Sequence, residues 1–301
     1  MKKVFKWIGI VLGSLVGLIL VLAAVFYFMG NARINKTYDF PPDNIVVPTD
    51  AASIEYGEYR VQSMCIGCHG EDLSGIKDFA VVGPIMTLDS ANLTSGQGGI
   101  GQEYTSDEDY VHAMRHGVGH DGKPIFMPAV LSFQYMSDED LGAIIAYLKT
   151  IPPVDHQTNG LQIKPLGKIL VGAGVFGDLP VEAVSHNINV TAPAAGATAE
   201  YGEYLVNING CRECHGQDLA GGPFPDPSIT VISPNLTPGG ELAAWSEEDF
   251  FTAIRTGITP SGHELNPELM PWKEIGGLSD DELKAIWLYL QSLPKLEQVT
   301  E

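Results

Sequence analysis

The chain repeats itself, and that limits its fold more than any other feature. Glu55-Tyr56-Gly57-Glu58-Tyr59 returns as Glu200-Tyr201-Gly202-Glu203-Tyr204, and Ser137 to Pro152 returns as Ser279 to Pro294. Cys65-Ile66-Gly67-Cys68-His69-Gly70 returns as Cys211-Arg212-Glu213-Cys214-His215-Gly216. Asn92-Leu93-Thr94, Arg115-x-Gly117 and Met127-Pro128 come back as Asn235-Leu236-Thr237, Arg255-x-Gly257 and Met270-Pro271, with the offset staying between 140 and 146 residues. Self-similarity at one long period is the mark of a duplicated unit. Two similar domains of roughly 100 residues are therefore expected, a size at which each can bury a core of its own.

All four cysteines fall in the two C-x-x-C-H motifs. This spacing is the c-type haem attachment signature. Two thiols one helical turn apart, Cys65 with Cys68 and Cys211 with Cys214, each form a thioether with one vinyl group of a single porphyrin. The adjacent His69 or His215 then turns its imidazole to the iron as proximal ligand. A structural zinc needs four ligands and each copy gathers only three. A redox-active disulfide needs a βαβ setting that the pattern lacks. Two covalent haem c groups, one per domain, are expected. Met127 and Met270 lie 62 and 59 residues beyond Cys65 and Cys211, at matching places in the repeat. A thioether there supplies a soft sixth ligand to each iron. Met64, Met86, Met114 and Met136 have no such counterpart and are expected in the core. His112, His116 and His120 are spaced four apart, but Gly117 and Gly119 interrupt their helix and the second copy has Thr252, Thr256 and Pro260 instead. They are set aside as iron ligands, and His156, His186 and His263 are expected in linkers or at the surface.

Trp7 to Met29 is an apolar run behind Lys2, Lys3 and Lys6. About 20 helical residues cross a bilayer core, so residues 1–30 read as a single-pass anchor that contacts inner-membrane lipid. A cleaved signal peptide is the alternative. The three lysines hold the N-terminus in the cytoplasm, which puts the rest on the periplasmic or extracellular side. Lys+Arg total 17 against 37 Asp+Glu, a net charge of -20. That balance excludes nucleic acid as a partner, since phosphate binding needs a cationic face. It favours redox proteins with basic docking surfaces.

The remaining boundaries are 31–50 as linker, 51–153 as the first domain, 154–196 as linker and 197–297 as the second. Within 154–196 the apolar stretch Ile169 to Phe176 is expected to pack as a strap on a domain rather than insert into a partner. Ser106, Ser137, Ser246 and Ser279 are each followed by acids. This reads as N-capping with carboxylates in the first helical turn, not as acid–base catalysis. With helices also entering each Cys pair and no sustained alternation, the fold class expected is all-α: two tandem domains after a transmembrane helix.

These features together resemble a class I cytochrome c domain, in the order C-x-x-C-H-G, Asn-Leu-Thr, Arg-x-Gly, Met-Pro and a last helix ending Tyr147-Leu148…Pro152 or Tyr289-Leu290…Pro294. The whole chain resembles the membrane-bound cytochrome c subunits of periplasmic dehydrogenases of the alcohol type. Those subunits typically carry three C-x-x-C-H motifs, and this chain has two. The resemblance implies that Asn92, Arg115, Asn235 and Arg255 support the haem propionates. The function expected is one-electron relay between a periplasmic donor and a respiratory-chain acceptor such as a terminal oxidase, with no catalytic residues. A fixed electron-transfer subunit beside a dehydrogenase catalytic subunit is the first alternative. A dihaem peroxidase-like enzyme is the second, and it requires an iron with a vacant sixth position.

Overall fold

Helix α1 (Lys2–Ile34) is one unbroken apolar rod, long enough to cross a membrane. The computed structural model describes residues 2–187, 190–225 and 229–300. Beyond an extended strap, the first repeat copy opens with α2 (Ala51–Met64), capped by Asp50, and passes into α3 (Ile66–His69), which carries the first C-x-x-C-H. A hairpin of β1 (Ala80–Val82) and β2 (Met86–Leu88) follows, then α4 (Ile100–Glu103) and α5 (Asp107–Val111). A π-helical turn over His112–His116 continues α5 and ends at Gly117. The copy closes with α6 (Val130–Phe133) and α7 (Asp138–Leu148).

The segment between the copies is built rather than loose. It holds β3 (Leu161–Ile163), α8 (Pro165–Gly172) and α9 (Pro180–Ala183). The second copy runs α10 (Ala199–Ile208), α11 (Cys211–His215), a two-residue pairing of β4 (Gly222–Pro223) with β5 (Ile232–Ser233), α12 (Glu247–Thr256), α13 (Trp272–Ile275) and α14 (Asp280–Ser292).

The protein is predominantly helical, with two small departures from an all-helical reading. The antiparallel sheet β1-β2-β3 uses three-residue strands, too short to leave a period in the sequence. Its third strand comes from the 154–196 segment: Leu161, Gln162 and Ile163 pair with Leu88, Thr87 and Met86. Residues expected to be linker are thus tied to the first copy by backbone hydrogen bonds.

All four serine caps form. Ser106, Ser246 and Ser279 close capping boxes with Asp109, Asp249 and Glu282. Ser137 accepts from Asp140 N, while the Asp140 carboxylate turns to two tyrosines. In each copy the first helix crosses the last at a glycine. A Cβ on Gly57 would lie 2.0 Å from Ala143 O, and one on Gly202 would lie 1.9 Å from Ala285 O. Only hydrogen fits at either crossing.

Apolar residues of both copies form one continuous core, with Leu141, Ile144 and Ile145 of α7 in the same cluster as Leu283, Ile286 and Leu290 of α14. A polar knot lies between them. Tyr59 accepts from Ser279 N at 2.8 Å and donates to Glu282, while Tyr204 accepts from Ser137 N at 3.0 Å and donates to Asp140 at 2.6 Å. Each copy's tyrosine therefore holds the start of the other copy's last helix. Arg60, fully buried, joins the two sides. It lies 2.9 Å from Glu282 Oε1 and 3.9 Å from Asp140 Oδ2, and it donates to Tyr56 and Tyr201 at 2.6–2.9 Å. Burial alone disfavours the guanidinium charge, but Tyr56, Asp140 and Glu282 more than offset it, so its pKa lies above the ordinary value.

Candidate haem sites

The attachment turns are alike. In α3 the His69 and Cys68 amides bond to Cys65 O, so both thiols sit one turn apart at the end of α2. Cys65 is buried and Cys68 exposed, while Cys211 and Cys214 are half-buried. Burial pushes the Cys65 and Cys211 thiols up to about 12 and raises those of Cys68 and Cys214. A dithiol redox site needs the opposite, a depressed pKa.

The histidines carry the strongest signal. His69 Nδ1 lies 2.7 Å from Ala91 O, and His215 Nδ1 lies 2.8 Å from Pro234 O. A carbonyl only accepts, so in each ring Nδ1 bears the proton and Nε2 keeps its lone pair. Burial lowers both pKa values, opposed by those carbonyl bonds, and holds the rings neutral at pH 7. A neutral imidazole with fixed tautomer and free Nε2 is what a metal requires of a histidine ligand. The residues present therefore fit haem c. Among the described residues, no cluster of three or more His, Cys, Asp and Glu offers a metal site instead.

Met127 and Met270 are both half-buried and pack against the apolar cluster that contains Cys65. Met114 and Met136 are buried in the core, and Met64 packs at its margin. Asn92 and Asn235 are buried, but their amides serve the backbone. Asn92 donates to Val154 O and His156 O and accepts from Thr94 N. Asn235 donates to Leu296 O and accepts from Thr237 N. Each thereby pins the strand of chain that follows its own copy's last helix. A propionate contact of the kind the resemblance implies would compete with these two donations from the Asn92 side chain.

The arginines differ from each other. Arg115 is buried and bonds Met136 O and Asp138, and its Nε has no hydrogen-bond partner. A buried, unpaired donor beside a charged carbon fits an anionic group such as a propionate. Arg255 is exposed and bonds Gly276 O and Asp280.

Two features had no clear sequence signal. First, the sites touch across the repeat. Ser132, just past Met127, donates to Glu213 inside the second C-x-x-C-H, and an atom at the Gly67 Cβ position would lie 3.6 Å from Glu274 Oε1, just past Met270. Second, His186 is not a free linker residue. Its Nδ1 meets His116 Nδ1 at 3.0 Å, and Phe40 stacks on both rings at 4.2 and 4.6 Å. His116 also meets Asp43 at 2.9 Å, which clamps the 37–48 strap to the first copy.

A mainly helical chain with paired thiols on a helical turn and a lone-pair nitrogen beside them defines a c-type cytochrome. The chain belongs to the family described as cytochrome C oxidase, cbb3-type, subunit III, which matches it twice, at residues 52–148 and 197–290. Among curated relatives, the cytochrome c subunit of the quinone alcohol dehydrogenase of Gluconacetobacter polyoxogenes is 29% identical, covering 90% of this chain and 60% of that protein. The fructose dehydrogenase cytochrome subunit of Gluconobacter japonicus is 29% identical, covering 82% and 54%. A diheme cytochrome c-type protein of Cereibacter sphaeroides is 28% identical, covering 66% and 69%. This chain spans 54% to 60% of the length of the alcohol and fructose dehydrogenase subunits that it matches.

Proposed function

We propose that this chain is a two-haem electron relay, anchored by α1, that serves as the electron-transfer subunit of a membrane dehydrogenase. The observation that carries the relay is the matched pair of imidazoles, each with Nδ1 bonded to a carbonyl so that the lone pair stays on Nε2. The names of the relatives favour a fixed subunit over a free carrier. The copies at 51–153 and 197–297 are the two haem domains in this reading.

Haem c, when bound, supplies the one-electron iron couple. The chain does the rest. Cys65, Cys68, Cys211 and Cys214 would hold the ring covalently, and His69, His215, Met127 and Met270 would ligate the irons. Arg115 Nε would bond a propionate. Irons so ligated would have no open position for substrate. The apolar residues packed against Met127 and Met270 would limit the solvent that must reorganise with a change of charge. The net charge of -20 steers encounter with a basic partner face on the outer side of the membrane.

The test is haem quantification as the pyridine haemochrome with an optical and EPR redox titration. Two low-spin c-type haems per chain, both with His/Met signatures, are expected. One haem per chain, or a high-spin or bis-His haem, overturns the ligand assignment at that site and turns attention to peroxidase chemistry.

A further inference from the structure

Helix α8 and the turn after it lie along the outer end of α1. Lys168 Nζ donates to Asn31 Oδ1 at 2.8 Å. A Cβ on Gly30 would meet Lys168 O at 1.9 Å, and one on Gly172 would meet Phe26 O at 1.9 Å. The same two positions would lie 2.8 Å from Gly172 N and 2.7 Å from Gly30 N, so the helices meet glycine to glycine beside the end of the apolar run of α1. Small residues at the contact allow this approach, as between helices in lipid. Phe26 to Met29 close the apolar run of α1. Arg33 then ties the two limbs of the turn together: it donates to Val171 O at 3.4 Å and to Gly177 O at 2.8 Å, and it pairs with Asp178 and Glu182. Residues 173–177 are the tip of a turn whose two limbs both register against α1.

The tip is apolar and open. Val175 is 62% exposed and Phe176 53%, and on α1 beside the Gly30–Gly172 contact Phe28 and Met29 are 69% and 53% exposed. Four of its five amides, all but that of Phe176, are nevertheless bonded within the turn among the described residues. The amides of Ala173, Gly174, Val175 and Gly177 donate to the carbonyls of Ile169, Val171, Leu170 and Gly174. Hydrocarbon offers no partner to a backbone N–H, so internal satisfaction is what a lipid-facing turn requires. Lys168 stands over the Tyr27 ring at 5.5 Å, pairing an aromatic with a cation where headgroups begin. Lys36 follows α1 and Lys164 caps the start of α8, while Asp178 and Glu182 pair with Arg33.

We propose that residues 165–177 are a second membrane contact, an apolar hairpin seated at the headgroup–acyl boundary of the outer leaflet beside α1. The proposal rests on reading α1 as a bilayer-spanning anchor. Interfacial seating of this kind buries apolar side chains only ~5–10 Å deep. The hairpin is also fastened to the first copy, because β3 leads straight into α8 and a Cβ on Gly167 would meet Ile85 O at 2.3 Å. A single helix lets the body swing about its exit point. Two contacts hold the first copy at one attitude to the membrane.

The experiment places a nitroxide at Val175→Cys, Phe176→Cys, Leu15→Cys in mid-α1 and the exposed Glu248→Cys of α12. The full haem-loaded chain is used alone in vesicles of phosphatidylethanolamine and phosphatidylglycerol, with the haems oxidised, and each reagent's effect is read as the change from the same sample without it. Oxygen partitions into lipid, and a nickel chelate stays in water. The proposal expects oxygen to relax the label more than nickel at residues 175 and 176, as at residue 15, with the reverse at residue 248. Nickel dominance at 175 and 176 with oxygen dominance at 15 overturns the hairpin and leaves the anchor standing. Nickel dominance at 15 as well removes both. Weak access to either reagent at 175 and 176 means that protein covers the tip, as in docking to a second copy, and also overturns the proposal. Unchanged haem content per chain certifies that each variant has folded.

Discussion

The Tyr204 hydroxyl donates to Asp140 at 2.6 Å across the boundary between the repeat copies, and Tyr59 makes the reciprocal bond to Glu282. Each tyrosine also accepts the amide of the serine that caps the other copy's last helix. The arrangement is self-complementary, as between subunits of a symmetric dimer. Arg60 breaks that symmetry, since the matching residue in the second copy is Leu205.

Replacing Arg60 with Leu, the residue that the second copy uses, leaves Asp140 and Glu282 buried without their cation. The expected loss is about 3–5 kcal/mol, the usual result of removing one partner of a buried ion pair. Tyr204→Phe removes only a hydroxyl and is expected to cost ~1–3 kcal/mol. Urea unfolding followed by circular dichroism measures both. A change of under ~1 kcal/mol for Arg60→Leu would sink the structural role of the knot.

The same knot is sensitive to acid. Burial alone raises the Glu282 carboxyl pKa, but the Arg60 charge and hydrogen bonds from Tyr59 and Ser279 outweigh it and hold the value below 4.5. A depressed folded pKa contributes stability in full above the unfolded value and loses it as pH falls through the folded one. Stability should therefore fall below about pH 4.5. Glu282→Gln should be less stable at neutral pH, with a gap to the natural protein that narrows on acidification. A gap that is constant with pH would contradict the sign.

Met127→Leu and Met270→Leu each remove a soft ligand while keeping apolar volume. Each variant is expected to turn one haem high-spin and to lower its potential, leaving the other haem's EPR signal unchanged. Loss of both low-spin signals from one substitution would show that the sites are not ligated independently. If neither signal changes, methionine is not the sixth ligand.

Gly202→Ala puts a methyl group 1.9 Å from Ala285 O, and Gly57→Ala puts one 2.0 Å from Ala143 O. The helices must move apart, at a cost of at least ~1–3 kcal/mol for each substitution. Thermal unfolding should show similar losses for the two, because the crossings are alike. Alanine tolerated at both positions would mean that the helices cross less closely.

The parts of the fold legible in the sequence are those written at short range. Ser106, Ser137, Ser246 and Ser279 cap because a hydroxyl and an amide three residues apart meet in any helix start. The C-x-x-C-H turns are legible for the same reason. The sheet was not, because three-residue strands carry too little alternation, and one of its strands lies in a segment that reads as linker. Asn92 illustrates the limit for a site residue. Its recurrence as Asn235 marks it, but whether its amide faces a cofactor or the backbone of residues 154–156 depends on how that distant segment returns.

The sequence by itself determined the doubled pattern, the attachment turns, the helix starts and an apolar N-terminal helix, all properties of residues a few positions apart or of composition. Only the tertiary structure decided that Arg60 is buried between the copies, that each copy's tyrosine holds the other's last helix, and that α8 packs on α1. Those contacts join residues more than 60 positions apart. No local period records such a pairing, which arises only when separate apolar faces find a common core and the polar groups trapped between them must find partners.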